Sequence, residues 1–255
     1  MDTTNQPARS VKTTETVFGV IETLRELDGA TLTELTDELG FAKSTVYDHL
    51  STLEQHGYVI RQDGEYQLSL RFLDHGIYVK RRRDLPDEVE PSLEKLAAET
   101  GEVVWFVVEE DGWSYILEMA KGEQAVNTVD RIGRREHLHY HAAGKVILAN
   151  LPPEETADII DRHGLPAVTD RTITDRERLD SELEKIRDQG YGTMDSEAVM
   201  GLRSVAAPVV SRNQVLGAVS VAGPAKRLRG SLFQEELPRK IQATANAIEL
   251  QMTYP

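Results

Sequence analysis

Three histidines at alternate positions, His137, His139 and His141 in the run EHLHYH, form the densest group of chemistry-bearing side chains in this 255-residue chain. On a strand, residues two apart share a face, so the three imidazoles would converge at a spacing able to chelate a divalent metal. Zinc is the natural candidate, with an open position taken by a carboxylate or a ligand, and such a centre would serve a metal-dependent enzyme or a metal sensor. The same residues also fit an edge strand with partly solvated rings, His141 lying near the start of a helix. That helix begins in AAGKVILANLP, where Ala143 and Gly144 supply free amides suited to a carboxylate and Lys145 sits in the first turn. On later strands Asp195, Glu197, Ser204 and Ser220, with Leu202 as apolar wall, would complete a pocket for a small polar acid or alcohol.

Other chemistries lack their residues. There is no Gly-rich phosphate loop, G-x-S-x-G elbow or H-E-x-x-H. The absence of cysteine excludes disulfide scaffolds, thiolate zinc fingers, iron–sulfur clusters and cysteine nucleophiles. Apolar runs such as Val103 to Val108 stop far short of the ~20 residues that cross a bilayer, and MDTTNQPARS has no apolar signal core. The expectation is a soluble cytoplasmic protein that needs no cofactor and no membrane.

Stepping outward from these residues, helical spacing of Val17, Val20, Ile21, Leu24 and Leu27 ends at Gly29. Leu32 and Thr33 then read as hydrophobic staple and N-cap of a short second helix closed by Gly40. A third helix carries Val46, Leu50 and Leu53 on one face, with Gly57 beyond its end. In YVIRQDGEYQL, alternation on both sides of Asp63-Gly64 marks a hairpin. Three short helices and a two-stranded wing make a winged helix-turn-helix, whose third helix enters the major groove. Lys43, Ser44, Thr45, Tyr47, Asp48 and His49 lie opposite its apolar face. Hydroxyls and helix-start amides suit phosphates, while Tyr47, Asp48 and His49 are placed for base edges. Thr33 and the wing residue Arg61 are taken as further DNA contacts.

A helix carrying Leu70, Leu73 and Ile77 runs into Lys80-Arg81-Arg82-Arg83, a cluster suited either to flanking phosphate or to a helix C-terminus. Beyond it the pattern predicts a helix through Val89, Leu93, Leu96 and Ala97, and then EVVWFVVEE and WSYILEMA joined at Asp111-Gly112. A further strand is predicted from about Ala125 to Ile132. Helices follow from Ala143, after Pro153, and from Thr174 with Glu177 as its capping-box partner. Strands return at Gly192 to Asp195, Val205 to Val210 and Val215 to Ala222, before a last helix over about 231–253. The expected division is 1–9 flexible, 10–69 winged helix, 70–86 linking helix and 87–255 an α+β sensing domain.

Charge follows the same division. The 43 acidic and 29 basic residues leave a net −14, and the basic set is 20 Arg to 9 Lys. Residues 1–83 hold ten basic and 13 acidic groups, net −3, whereas 84–255 hold 19 and 30, net −11. A nearly neutral module joined to a very acidic one suits a DNA-facing part and a part that never meets phosphate. Acidity on this scale suits work in concentrated salt, where screening is almost complete, and also fits an ordinary acidic protein.

From about Ser10 to Met252 the chain resembles the IclR family of transcriptional regulators. The resemblance rests on AKSTVYDHLSTLEQHGYV beside YQLSLRFLDHG, and on LHYHAAGKVILANLP, IRDQGYGTMDSEAVMGLRSVAAPV and VLGAVSVAGP in that order. It implies a homodimer or homotetramer on a palindromic operator in double-stranded DNA, regulated by a small-molecule effector, and a GAF-like α/β effector-binding domain. With the acidity, it implies a halophilic archaeon as source. On the family's pattern the effector, an organic, aromatic or sugar-derived acid, is held by Ala142 and Ala143 beside Gly144, by Asp195 to Glu197, and by Ser204 and Ser220. Met194 and Ala222 stand where some members carry an acid and a second serine, which makes this pocket less polar.

Overall fold

The computed structural model describes residues 10–83, 85, 89–126 and 131–253. The chain divides into two compact units, Met1–Arg83 and Asp84–Pro255. The first contains helices α1 (Lys12–Glu26), α2 (Leu32–Leu39) and α3 (Lys43–Gln55), strands β1 (Val59–Gln62) and β2 (Glu65–Leu68), and helix α4 (Arg71–Arg81). Val20, Leu24, Leu35, Val46, Leu50, Val59 and Tyr66 make one core beneath the three helices and the wing. The wing turns at Asp63 and Gly64, both with positive φ, in the register Gln62↔Glu65.

Helix α2 starts two residues earlier than the spacing predicts. Its N-cap is Thr31, not Thr33: Thr31 Oγ1 accepts from the Glu34 amide while Glu34 accepts from the Thr31 amide at 2.8 Å. A carboxylate at position 34 selects the threonine three residues before it, which is how a capping box chooses its register.

The second unit comprises α5 (Val89–Thr100), β3 (Val103–Glu110), β4 (Trp113–Lys121), β5 (Arg135–His137), α6 (Ala142–Asn150), α7 (Pro153–His163), α8 (Arg176–Gln189), β6 (Gly192–Asp195), β7 (Leu202–Ser211), β8 (Gln214–Pro224) and α9 (Leu237–Thr253). The six strands form an antiparallel sheet in the order β5-β4-β3-β8-β7-β6. Strand alternation sorts its residues into two layers. Val104, Phe106, Val108, Val205, Val219 and Val221 pack on α5 and α9 through Leu93, Leu96, Ile241 and Ile248. Trp105, Val107, Met194, Ala206 and Ala218 face the other way, toward α6 and α8. Each fully buried leucine-sized side chain contributes about 1.5–3 kcal/mol.

Two predicted elements differ. Residues 127–130 of the predicted 125–132 strand lie outside the described residues, and the described part of that stretch carries no strand. Helix α8 is capped by Asp175, whose Oδ1 accepts from the Arg178 amide at 2.8 Å, rather than by Thr174 with Glu177.

Candidate functional site

In the first unit, Val46 and Leu50 are fully buried and Leu53 nearly so, which turns the other face of α3 outward. Lys43, Ser44, Thr45, Tyr47 and Asp48 are exposed on it, and His49 is half-buried. Thr33 is exposed in the first turn of α2, and Arg61 stands on the wing with its guanidinium carbon 5.2 Å from the Tyr66 ring centre. The helix therefore presents a polar surface of mixed charge with two aromatic rings, a surface able to meet both phosphate and base edges.

The second unit holds a cavity of about 420 Å³ between the sheet and the N-terminus of α6. Cross-strand register builds its floor: Met194 pairs with Ser204, Ser204 with Ala222, and Ser220 with Trp105, so one face of four strands carries a row of small and apolar side chains. Val199 and Met200 come from the β6–β7 loop, and Arg134 and Glu136 form an ion pair at 2.8 Å in the wall. Most polar lining groups are engaged. Ser220 Oγ donates to Val205 O at 3.3 Å, and Ser114 Oγ donates to Glu136 O at 2.9 Å. Two groups are not: Ser204 Oγ and Trp105 Nε1 are buried and have no hydrogen-bond partner among the described residues. An unmet buried polar group costs about 1–3 kcal/mol, so these two atoms are the ones a ligand would satisfy.

Of the residues expected to hold an effector, Ala143, Leu202, Ser204 and Ser220 line the cavity. Ala142, Gly144, Asp195 and Glu197 do not line it. Asp195 pairs with Arg203 at 2.8 Å, and that guanidinium holds its carboxyl below the usual range. Glu197 turns to the other side and binds Lys145. Gly144 is needed where the helix start presses on the Leu138 backbone, since a Cβ there would overlap the Leu138 carbonyl. Trp105, Val107 and Ile116 were legible only as strand residues. Their common face follows from alternation plus a bulge at Phe106/Val107, which nothing in the sequence marks.

The three histidines do not share a face. His137 ends β5 against the Trp113 ring at 4.5 Å, and His139 lies in a 3₁₀ turn with Nε2 3.0 Å from Pro166 O. His141 is the N-cap of α6: its Nδ1 accepts from the Gly144 amide at 3.1 Å. Nε2 therefore carries the proton and donates to Ser114 Oγ at 2.9 Å. Burial pushes His139 down to about 4 and His141 down to about 3, so both are neutral near pH 7. Among the described residues no three His, Cys, Asp or Glu side chains are grouped to hold a metal ion. The chelating alternative thus lacks its shared face, whereas His141 does stand at the start of the helix: the EHLHYH alternation ends with β5, because the following turn must bury Leu138 against α6.

Comparison with known proteins bears on both units. Residues 14–64 match the model of the IclR helix-turn-helix domain, and 77–250 match that of the bacterial transcriptional regulator IclR C-terminal domain. The chain is 34% identical over 254 residues to the probable HTH-type transcriptional regulator ArcR of Halobacterium salinarum, covering 97% of this chain and 96% of that one. It is 33% identical over 250 residues to the HTH-type transcriptional regulator KdgR of Escherichia coli, covering 96% and 94%. The crystal structure of the Thermotoga maritima IclR superposes with a TM-score of 0.80 at 27% identity, covering 95% of this chain and 99% of that one.

Proposed function

Because the chain belongs to the IclR family of transcriptional regulators, we propose that it binds a palindromic operator as a homodimer or homotetramer and that a small organic or sugar-derived acid in the second unit alters that binding. The observation that carries the effector reading is the cavity of about 420 Å³ in which Ser204 Oγ and Trp105 Nε1 have no partner among the described residues. Its volume falls within the range of small-molecule sites. The amides that open α6 at Ala142 and Ala143 favour an anionic end, and Leu202 and Ser220 complete the wall. In the first unit, Lys43, Ser44, Thr45 and Thr33 serve phosphate, Tyr47, Asp48 and His49 serve base edges, and Arg61 serves the backbone beside the wing.

The functional division is a winged helix over 10–69, a linker over 70–86 that carries α4, and the effector-binding domain over 87–255. The protein acts in the cytoplasm, as a regulator rather than an enzyme. Its net −11 beyond residue 83 fits work in the concentrated salt of a halophilic archaeon, where counterion release contributes little and base contacts carry more of the recognition.

The test is operator mapping by genome-wide immunoprecipitation, joined to a thermal-shift screen of organic acids with the purified protein at high salt. We expect discrete palindromic sites and at least one acid that both raises the melting temperature and changes operator affinity. Uniform DNA retention without preferred sites would refute the first half, and acids that stabilise without touching operator affinity would refute the second.

A further inference from the structure

A recognition helix reads bases only if its angle in the groove is held. In the first unit, the first turn of α4 grips the end of α3. Ser69 Oγ donates to Gly57 O at 2.5 Å, and the Ser69 amide donates to Tyr58 O at 2.9 Å. Arg71 reaches back so that Nη1 donates to His56 O at 2.7 Å, while its guanidinium carbon lies 4.9 Å from the Tyr58 ring centre. His56 is the C-cap of α3, so this cation sits on the negative end of the recognition helix. Phe72 meets the Tyr58 ring edge-on at 5.3 Å, and the Tyr58 hydroxyl is 2.9 Å from His75 Nε2.

None of the residues of α4 is buried, and Leu73, Ile77, Tyr78 and Val79 are all exposed. Without a buried face, α4 takes its direction from the polar and stacking contacts at its start, Phe72 against Tyr58 among them. Those contacts all converge on His56, Gly57 and Tyr58, the three residues that follow α3.

We propose that Arg71 is a positioning residue: through the His56 carbonyl and the Tyr58 ring it locks α4 to the recognition helix, so that the two turn as one body. This rests on the DNA-binding reading above. Arg71 then is not a phosphate contact, although it is exposed and basic. A rotation of α4 then carries α3 with it. In a dimer the same lock fixes the separation of the two recognition helices, and with it the half-site spacing that the protein accepts.

The experiment uses full-length protein and its mapped operator, with Arg71→Met, Tyr58→Phe and the double variant. Each is titrated over a salt series against the operator, the operator with one base pair inserted between half-sites, and a non-specific duplex. Wild type should bind the inserted duplex at least about tenfold more weakly than the operator. Arg71→Met should lose most of that discrimination, with operator affinity reduced about tenfold but non-specific affinity and salt slope unchanged. Unaltered spacing discrimination in Arg71→Met would overturn the proposal. So would a salt slope lower by about one with weaker non-specific binding, the signature of a phosphate contact. If Arg71→Met does not fold, Arg71→Lys, made alongside it and keeping the charge and stem without the planar guanidinium over the Tyr58 ring, decides by the same spacing measurement. Wild type that shows no preferred site overturns the DNA-binding reading itself, a result separate from one in which preferred sites exist but tolerate the insertion equally in all variants.

Discussion

Lys145 Nζ lies 2.9 Å from each carboxylate oxygen of Glu197, and its side chain is completely buried while that of Glu197 is 13% exposed. Two residues before Lys145, Ala143 lines the cavity, and just after Glu197, Ala198, Val199 and Met200 do the same. The pair therefore ties the first turn of α6 to the β6–β7 loop from behind the pocket. The hydroxyls of Thr169 and Thr172 hold the same loop by donating to Ser196 O and Glu197 O, each at 2.7 Å.

Removing one charge of this pair leaves the other buried. Lys145→Met should destabilise the second unit by about 3–5 kcal/mol, and Lys145→Met with Glu197→Gln should recover much of that loss, because the one carboxylate then left without Lys145, Glu182 at 3.5 Å, is 26% exposed and keeps Lys185 at 4.0 Å. Urea unfolding followed by circular dichroism measures both. A double variant no more stable than the single one would show that the ion pair is not what fixes the loop.

Acid should weaken the same unit. His139 and His141 have folded-state values of about 4 and about 3, below the 6.5 of a free imidazole, chiefly through burial. A depressed value means that the unfolded chain binds the proton first. Their contribution is therefore complete above pH 6.5 and is lost progressively as pH falls toward 4 and then 3. His141→Asn keeps an N-cap acceptor for the Gly144 amide but cannot titrate. Its stability should fall less steeply between pH 7 and pH 5 than that of wild type, as read from denaturant midpoints at the two values.

Ser204→Ala separates stability from function. Deleting an unpartnered buried hydroxyl should stabilise the ligand-free protein by about 1 kcal/mol, while any acid that releases or tightens operator binding should need a higher concentration to do so. Melting curves without ligand and operator titrations with it give the two signs independently. A fall in ligand-free stability would mean that Ser204 has a partner after all.

At the DNA surface, Tyr47→Ala should relax base preference, with a loss of about 1–3 kcal/mol confined to the preferred site. Arg61→Ala should instead weaken binding to all duplexes and lower the salt slope by about one. Competition binding with operator and scrambled duplexes over a salt series distinguishes the two patterns, and identical behaviour of both variants would displace one of these residues from its assigned contact.

Gly144→Ala tests close approach at the start of α6. The added methyl would meet the Leu138 backbone, which cannot move without shifting the turn that carries His139. Overpacking of this kind costs about 1–3 kcal/mol, and thermal unfolding should show it, whereas Gly64→Ala at the open wing tip meets no neighbouring atom within 4 Å and loses only through its positive φ.

Local rules are enough to read much of this chain. Periodicity places Val46, Leu50 and Leu53 on the inner face of α3, Asp63-Gly64 at the wing turn, and β3 and β4 on either side of Asp111-Gly112, because each depends on neighbours within a few residues. The order of such segments likewise carries the family. Caps are legible only to within one or two positions: a threonine stands both at 31 and at 33, and the carboxylate of Glu34 decides between them. The cavity is different. Asp195 and Glu197 have the residue types of a ligand site, yet Arg203 takes one and Lys145, 52 positions away, takes the other. Alternation in EHLHYH likewise points to one face, but the chain bends after His137 to bury Leu138. Burial and charge pairing act between residues that are distant in sequence, so only the tertiary structure decides which polar groups are consumed in holding the wall and which, Ser204 and Trp105, are left facing the space inside it.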